Sequence, residues 1–406
     1  MVQSFCSLCN QSRVFPAVIR ENLITMQNYI YQNYSDALQA KVGQFELGVC
    51  PDCGFANNRK FDSSLLSYDE NYDNSVPSAI FTAYYQEIAT FLYQTYNLDN
   101  QLVIDVGCGK GSFLKVLTDL YPQVRGLGID PSYEENQSTI TTSNLSNLQS
   151  NLHFIQDIFK QEYVTEQPAL VICRHVLEHI PQPTNFLKSI HSALSAFPNT
   201  PFFLEVPDLT WILENQAFWD FCYEHCNYFT IDSFRITLES SGFNVEETRR
   251  VFGDQYIWAR GTTYNTDNNA YQGNKDNIDQ FINKVKVYTD TENKLVSKMV
   301  DRLRELKSQN VNIAVWGMAT KGVIFVNLVD PEAQLIDWCI DINQKKQNCF
   351  VPHTGHQIYS PQILPQLAGD DLMIVVMNPN YIDEIKAICC DLQLNSKFID
   401  ANGKDI

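Results

Sequence analysis

The sequence is short of positive charge and contains no long run of apolar residues. Lys and Arg number 29 against 47 Asp and Glu in 406 residues, which gives a formal net charge of −18. Binding to nucleic acid or to an anionic membrane needs clustered cations, so neither partner is expected. No apolar run approaches the roughly 20 residues of a membrane helix, and the start, MVQSFCSLCNQSR, lacks the pattern of a signal peptide. We therefore expect a cytoplasmic protein.

Short-period repeats and low-complexity tracts are absent as well. At 406 residues the chain is too long for one compact core, which favours two or three domains. Between residues 103 and 206, apolar runs of strand length alternate with helical patterns, which predicts an α/β fold with an open parallel sheet. After a polar helical connector, VNIAVWG at residues 311–317 begins a second, smaller α/β unit. The predicted domains are 1–75, 76–265 and 266–406.

Cysteine, in contrast, is plentiful, with twelve residues. Cys6 and Cys9 form one Cys-x-x-Cys pair, and Cys50 and Cys53 form another. Two such pairs can supply the four thiolates of a tetrahedral zinc site, and the alternative is buried or redox-active cysteines. A shell of four thiolates leaves no open position, so we expect this zinc to support folding rather than catalysis.

The segment VIDVGCGKGSFL, residues 103–114, has the pattern of a buried strand, a tight turn and a helix. Its glycines, Gly107, Gly109 and Gly111, allow a sharp turn and the close approach of a ligand. Asp105 lies near the end of the strand. Asp130 ends the next strand, at the place where a βαβ unit positions a carboxylate to bind a ribose. The segment therefore predicts a nucleotide-type cofactor site.

The spacing Gly-x-Gly-x-Gly after Asp105 differs from the Gly-x-Gly-x-x-Gly that favours a nicotinamide dinucleotide. It resembles the cofactor loop of class I S-adenosylmethionine-dependent methyltransferases, which have a Rossmann-like core. The resemblance implies that Asp130 binds the ribose hydroxyls and that Asp157 faces the adenine. It also implies that Ile158 and Arg174 belong to the cofactor site.

A narrower resemblance covers nearly the whole chain and rests on four further stretches: VLEHIPQP, FWDFCYEHCNYFT, VWGMATKGVIFVNL and DINQKKQNCFVPHTGHQIYSP. Their order after the cysteine pairs resembles that of the sugar C-methyltransferases, which act on nucleotide-linked 4-keto deoxysugars. That family has an N-terminal zinc-binding domain and a C-terminal Rossmann-like domain. Some positions depart from the family pattern, among them Cys222 and the turn Pro352-His353-Thr354.

Methylation of carbon next to a ketone needs a base and a group that stabilises an enolate. We assign the base to His225, since imidazole titrates near the working pH, and we place Glu224 beside it to orient substrate or tune its pKa. His179 is a candidate for holding the ketone oxygen. Tyr68, Tyr72 and Tyr223 are possible donors to that oxygen, whereas His175 is interpreted as structural.

The turn after residue 316 offers backbone amides at a helix start and the ammonium group of Lys321. This combination suits a pyrophosphate, and the alternative is an ordinary βα turn with a solvated lysine. Gly317, Lys321 and Asn327 belong to the motif of the family there, and Tyr68 is a further candidate for substrate contact.

The predicted activity is transfer of a methyl group from S-adenosylmethionine to a carbon, expected to be C3, of a nucleotide-linked 4-keto-deoxysugar. Two alternatives stay open: an O-methyltransferase and a binding homologue without activity. The sequence predicts neither the identity of the sugar nor the oligomeric state.

Overall fold

The computed structural model describes residues 5–11, 14–69, 71–74, 76–133, 151–263, 273–367 and 371–406. The N-terminal part is an antiparallel sheet with one short helix, formed by β1 (Phe15–Ile24), α1 (Tyr34–Leu38), β2 (Val42–Val49) and β3 (Ala56–Asn58). Alternate residues of β2, such as Gly43, Phe45 and Leu47, are buried, as expected for a strand with one face on a core. The two cysteine pairs lie at one end of this sheet.

The second part has a seven-stranded sheet. The bounds of its elements are α2 (Ala79–Tyr96), β4 (Leu102–Val106), α3 (Ser112–Leu120), β5 (Arg125–Ile129), β6 (Leu152–Ile155), β7 (Leu170–Arg174), α4 (Pro183–Ala193), β8 (Pro201–Pro207), α5 (Leu209–Glu214), β9 (Asn227–Tyr228), α6 (Ile231–Glu239), β10 (Asn244–Val251) and β11 (Tyr256–Thr262). The sheet order is β10-β11-β8-β7-β4-β5-β6. β4 to β8 are parallel, and β10 and β11 form an antiparallel pair that joins the sheet beside β8.

β9 does not belong to the large sheet. It pairs antiparallel with β3 and so becomes the fourth strand of the N-terminal sheet. The segment just before it carries Glu224 and His225. The pairing therefore places both side chains where the first and second parts of the molecule meet.

The third part begins with the long helix α7 (Lys275–Ser308), which is the helical connector expected from the sequence. The elements that follow are β12 (Asn312–Trp316), α8 (Thr320–Val329), β13 (Trp338–Ile340), β14 (Ile358–Tyr359), α9 (Leu364–Leu367), β15 (Leu372–Val376), α10 (Ile382–Asp391) and β16 (Ser396–Asp400). Their parallel sheet has the order β14-β13-β12-β15-β16. Buried residues of α7 join the N-terminal sheet and this unit in one hydrophobic core.

In each sheet the order of the parallel strands reverses beside the first strand of the unit. The reversal lies at β4/β7 in the large sheet and at β12/β15 in the smaller one. In such sheets ligands bind in the crevice at the carboxyl ends of the strands. Here the two crevices open into one cleft of about 1300 Å³, which the loop before α2 and the segment before β9 also line.

The three sheets agree in number with the three predicted domains, whose boundaries remain predictions. The boundary at 265/266 and the last residue before 76 lie outside the described residues. Within the described part of the chain, no helix is both long and apolar enough to cross a bilayer.

Candidate functional site

The glycine turn after β4 forms one wall of the cleft. Gly107, Gly109 and Gly111 have φ values of +76°, +55° and +75°, a region that favours glycine. A Cβ on Gly109 would meet no atom within 4 Å, whereas one on Gly111 would come within 2.3 Å of Phe154. The turn is therefore closely packed at Gly111 and open to the cleft at Gly109.

Two carboxylates lie beside this turn. The Gly109 amide donates to Asp130 Oδ2 at 2.8 Å, and the Ser132 amide donates to Asp130 Oδ1 at 2.7 Å. Oδ1 also accepts from Ser132 Oγ at 2.6 Å. Asp130 is still partly exposed in the cleft, and Oδ2 has a further lone pair for a ligand hydroxyl. Asp105 is buried, and burial raises its pKa to about 7, with Arg174 acting to lower it and Asp130 to raise it.

Arg174 ends β7 and is held among aromatic rings and a carboxylate. Its guanidinium group lies 4.6 Å from the centre of the Tyr85 ring and 4.5 Å from that of Phe113, and it forms a 2.8 Å ion pair with Glu205. A planar cation stacked in this way is fixed in position. Arg174 lines the cleft, but its charge is already balanced by Glu205.

Asp157 and Ile158 follow β6 at the rim of the cleft. Asp157 is bonded to Lys160, Tyr163 and the Ile158 amide, and the Lys160 ammonium is the main cause that lowers its pKa to about 2. Ile158 is 62% exposed although it is apolar, and it lines the cleft. An exposed apolar face beside an ionised carboxylate suits a ring that carries an amino group.

Two imidazoles meet on the opposite side. His179 ends a single 3₁₀ turn after β7, and His225 precedes β9, yet their ring centres are 4.8 Å apart. His179 Nδ1 lies 3.1 Å from the Glu224 carbonyl oxygen, so a proton on that nitrogen would be donated there. The pKa of His225 is lowered to about 3, because burial and the adjacent His179 both disfavour the cation, while Glu178 opposes them. His225 is therefore a neutral, proton-accepting imidazole at ordinary pH.

Glu224 is buried and bonded to the N-terminal part. It accepts from Tyr72 Oη at 2.8 Å and from the Gln27 amide at 2.9 Å, and burial raises its pKa. The Tyr68 ring packs edge-on against Tyr72, with centres 4.9 Å apart, and is 44% exposed. Both tyrosines line the cleft.

The turn after β12 forms the third wall. Gly317 has a φ of +107° and faces the cleft. Lys321 Nζ lies 2.5 Å from Asp220 Oδ2 and 4.6 Å from the centre of the Trp211 ring. The predicted cation is thus in the cleft, but it is paired with a carboxylate of the second part rather than solvated.

The structure does not bring Tyr223 or Asn327 into the cleft. The Tyr223 ring is fully buried and packs on Phe61, with its hydroxyl on the Asp62 amide. The Asn327 amide donates to the carbonyls of Val323 and Pro352 within its own unit. The roles predicted for both residues need correction: each has its polar group committed to the scaffold.

From the sequence, Glu178 received no role and His175 was interpreted as structural, yet both line the cleft. In the sequence, Glu178 lies between His175 and His179, and this grouping of titratable residues could have identified it. His175 has a φ of +55°, which is uncommon for a residue with a Cβ and is not visible in the sequence.

The four cysteines converge as their spacing predicts. The sulfurs of Cys6 and Cys53 are 3.6 Å apart, as are those of Cys9 and Cys50, and all four lie within 4.8 Å of one another. A tetrahedral zinc ion with bonds of about 2.3 Å needs sulfurs separated by about 3.8 Å. The thiolate set therefore fits zinc without rearrangement.

Comparisons with known proteins agree with this geometry. The family model described as "Methyltransferase domain" matches residues 78–248, and that described as "C-methyltransferase C-terminal domain" matches residues 266–399. The C-methyltransferase NovU of Streptomyces niveus is 23% identical over 74% of this chain and 72% of its own. The ubiquinone biosynthesis O-methyltransferase of Hydrogenovibrio crunogenus is 27% identical over 26% of this chain and 42% of its own.

Among solved structures, magnesium protoporphyrin IX methyltransferase from Synechocystis PCC 6803 with bound SAH aligns at a TM-score of 0.34. It is 15% identical and covers 47% of this chain and 89% of that chain.

The strand order, the glycine turn and the matched methyltransferase domain define a class I S-adenosylmethionine-dependent methyltransferase. Within this class, the matched C-terminal domain and the relative that is similar over 74% of the chain both indicate the C-methyltransferases. A methyltransferase domain followed by a C-methyltransferase C-terminal domain is the arrangement that the motifs predicted, and it supports the resemblance to the C-methyltransferases.

Proposed function

We propose that the protein transfers a methyl group from S-adenosylmethionine to C3 of a nucleotide-linked 4-keto-deoxysugar. The carrying observation is the pair formed by His179 and His225, with ring centres 4.8 Å apart in a cleft between two α/β units. One unit offers the cofactor turn, and the other offers a second nucleotide-type crevice. Similarity to a C-methyltransferase over 74% of the chain supports carbon as the acceptor atom.

The residues of the cleft fit the cofactor. The open glycine turn suits the methionine part of the cofactor, and the partly exposed Asp130 suits its ribose. The exposed apolar face of Ile158 suits the adenine. When bound, S-adenosylmethionine supplies an electrophilic methyl group for a carbon nucleophile.

The chain itself supplies the proton chemistry. His225 is neutral and faces the cleft, so it takes the proton from the carbon next to the ketone. The negative charge that forms on the ketone oxygen needs a hydrogen-bond donor. The hydroxyl of Tyr68, which lines the cleft, can serve as this donor. His179 can do so only as an imidazolium, because its Nδ1 proton goes to the Glu224 carbonyl. Tyr72 is bonded to Glu224 and orients that carboxyl group.

Isotope exchange tests the base directly. The protein with S-adenosylhomocysteine and a nucleotide-linked 4-keto-deoxysugar should exchange the hydrogen at C3 with D₂O, because no methyl group is available to trap the enolate. His225→Ala should abolish the exchange while S-adenosylhomocysteine still binds. Exchange at the wild-type rate in that variant would remove His225 as the base. Labelled S-adenosylmethionine and a panel of such sugars would identify the acceptor.

A hydroxyl acceptor is the second candidate, and the aligned O-methyltransferase segment favours it. An O-methyltransferase also needs a base, but it has no reason to exchange a C–H hydrogen. Methyl transfer to an acceptor, with no hydrogen exchange at carbon in any keto sugar tested, would favour the O-methyltransferase.

We also propose that Cys6, Cys9, Cys50 and Cys53 hold zinc as a structural ion. Phe55, next to the second pair, packs on Phe229 of the segment that follows His225, so loss of the metal would loosen the base as well. Cys6→Ser combined with Cys53→Ser should lose bound zinc and solubility. A soluble, fully active double variant would contradict this role.

A further inference from the structure

Glu178 is a buried carboxylate that the proposed reaction has not used. Its side chain is 1% exposed, yet among the described residues Oε2 has no hydrogen-bond partner. An ionised carboxylate in a buried position is costly unless cations lie close. The groups around it therefore explain why it is present.

Two imidazoles lie close to this carboxylate. An oxygen of Glu178 and one ring nitrogen each of His179 and His225 all lie within 4.8 Å of one another. All three residues line the cleft, but the two histidines are partly exposed whereas Glu178 is buried. A proton taken up by His225 would consequently form a cation next to a buried anion.

A third histidine, His175, also contacts Glu178. Its Nδ1 is 3.5 Å from Glu178 Oε1, and its Nε2 is 2.8 Å from Glu205 Oε1, a contact of charged groups rather than an aligned hydrogen bond. Burial acts to lower the pKa of His175, but the two carboxylates outweigh it and raise the pKa to about 9. His175 is thus a cation between two anions.

Glu205 is fixed in turn by two further groups, Arg174 at 2.8 Å and the hydroxyl of Tyr84. The charges alternate from Arg174 through Glu205 and His175 to Glu178. The positive φ of His175 is a backbone cost that the fold accepts at this position. Such a series holds Glu178 ionised even though it is buried.

We infer that Glu178 is a positioning residue that stabilises the imidazolium formed on His225, and that His175 holds Glu178 in place for this purpose. The inference rests on the proposed role of His225 as base. When His225 takes the proton from the acceptor carbon, the C–H electron pair remains on the acceptor as an enolate. The new positive charge on the ring is balanced by the carboxylate, and the proton later leaves to solvent.

The other charged groups near His225 act against this cation. His179, His175 and Lys321 each lower the pKa of His225, and Glu178 raises it. Burial acts to raise the pKa of Glu178, but His175, His179 and His225 outweigh it and lower that pKa. Tyr68, Cys222 and Cys226 also interact with Glu178 electrostatically. The loss of the Glu178 charge should therefore weaken the base at every pH at which His225 is neutral.

The test uses Glu178→Gln, which keeps the shape and removes the charge, in the full-length protein. Hydrogen exchange at the acceptor carbon should slow at least about tenfold at pH 7, while affinity for S-adenosylhomocysteine, measured by calorimetry, stays unchanged. Glu332→Gln, the same change at an exposed site, should leave both values at wild type. Glu178→Asp should recover part of the rate.

Chemical rescue distinguishes electrostatics from a purely structural effect. In Glu178→Ala, added formate should restore part of the exchange rate, because it can place a carboxylate in the vacated space, whereas chloride at equal ionic strength should not. Wild-type exchange in Glu178→Gln, or a loss that formate and chloride affect alike, would overturn the inference. If His225→Ala instead keeps wild-type exchange, the proposed function has failed at its base, which is a separate result.

Discussion

The two α/β units face each other across the cleft with turns of the same construction. In the first turn the Gly107 amide donates to the Ile129 carbonyl, and the Gly109 amide donates to Asp130. In the second, the Gly317 amide donates to the Ile340 carbonyl and the Met318 amide donates to Asp341 at 2.7 Å. Each acid follows the second strand of its unit.

The two turns differ in how many of their polar groups are already bonded within the protein. Asp130 is partly exposed and Gly109 faces open space, so a ligand can reach both. Asp341 is 7% exposed, and the Met318 carbonyl accepts from the buried Lys346. Thr320, in the same turn, is bonded to Asn28 of the N-terminal part.

The first turn is therefore built for a ligand, and the second largely joins the three parts of the molecule. A glycine turn with an acid after the next strand is not sufficient to identify a nucleotide site. What decides it is whether the turn's polar groups remain free at the surface of a cleft.

The largest effect should come from removal of the two acids. Asp130→Ala should weaken S-adenosylhomocysteine binding about a hundredfold, since each charge-assisted hydrogen bond is worth about 1.5–3 kcal/mol. Asp341→Ala should leave that affinity unchanged but lower the free energy of unfolding by about 2–4 kcal/mol, because two buried amides lose their acceptor. Calorimetry and urea unfolding measure the two quantities. A loss of affinity in Asp341→Ala equal to that in Asp130→Ala would end the distinction.

A smaller effect is expected at Lys321, the predicted cationic group that the second turn keeps at the cleft. Lys321→Met should raise the KM of the nucleotide-linked acceptor about tenfold and leave cofactor affinity as it is. Asp220→Asn is the matched control, because it removes the partner of Lys321 and should lower that KM. Steady-state kinetics with varied acceptor give both values. Equal KM values in the two variants would assign Lys321 to the scaffold alone.

Local patterns were sufficient for much of this architecture. Strands such as β4 and β15 are uninterrupted apolar or nearly apolar runs, and a run of this kind between turn signals predicts a buried parallel strand. The four cysteines could be grouped because a metal site constrains their spacing. Asp130 could be located because the βαβ unit fixes the distance from the glycine turn.

Other features depend on contacts between distant parts of the chain. Tyr223 lies next to Glu224 in sequence, but the two side chains point to opposite sides, one into the N-terminal core and one toward the cleft. The pairing of Lys321 with Asp220 joins residues 101 positions apart. The role inferred for Glu178 needs the positions of three histidines, which only the folded chain provides.

The smallest effect at neutral pH concerns the position two residues before the first glycine of each turn, which is Asp105 in one unit and Val315 in the other. Burial raises the pKa of Asp105 to about 7. If Asp105 binds the cationic amino group of the cofactor, it must be ionised, so protonation below pH 7 competes with binding. Affinity for S-adenosylhomocysteine should then be constant above about pH 8 and fall by up to about tenfold per unit below pH 7. Calorimetry between pH 5.5 and pH 8.5 measures this, with Asp105→Asn as the variant in which binding is weak but independent of pH. A wild-type affinity that does not change over that range would mean that Asp105 stays outside the cofactor's charge recognition, and that the two turns differ only in what they expose.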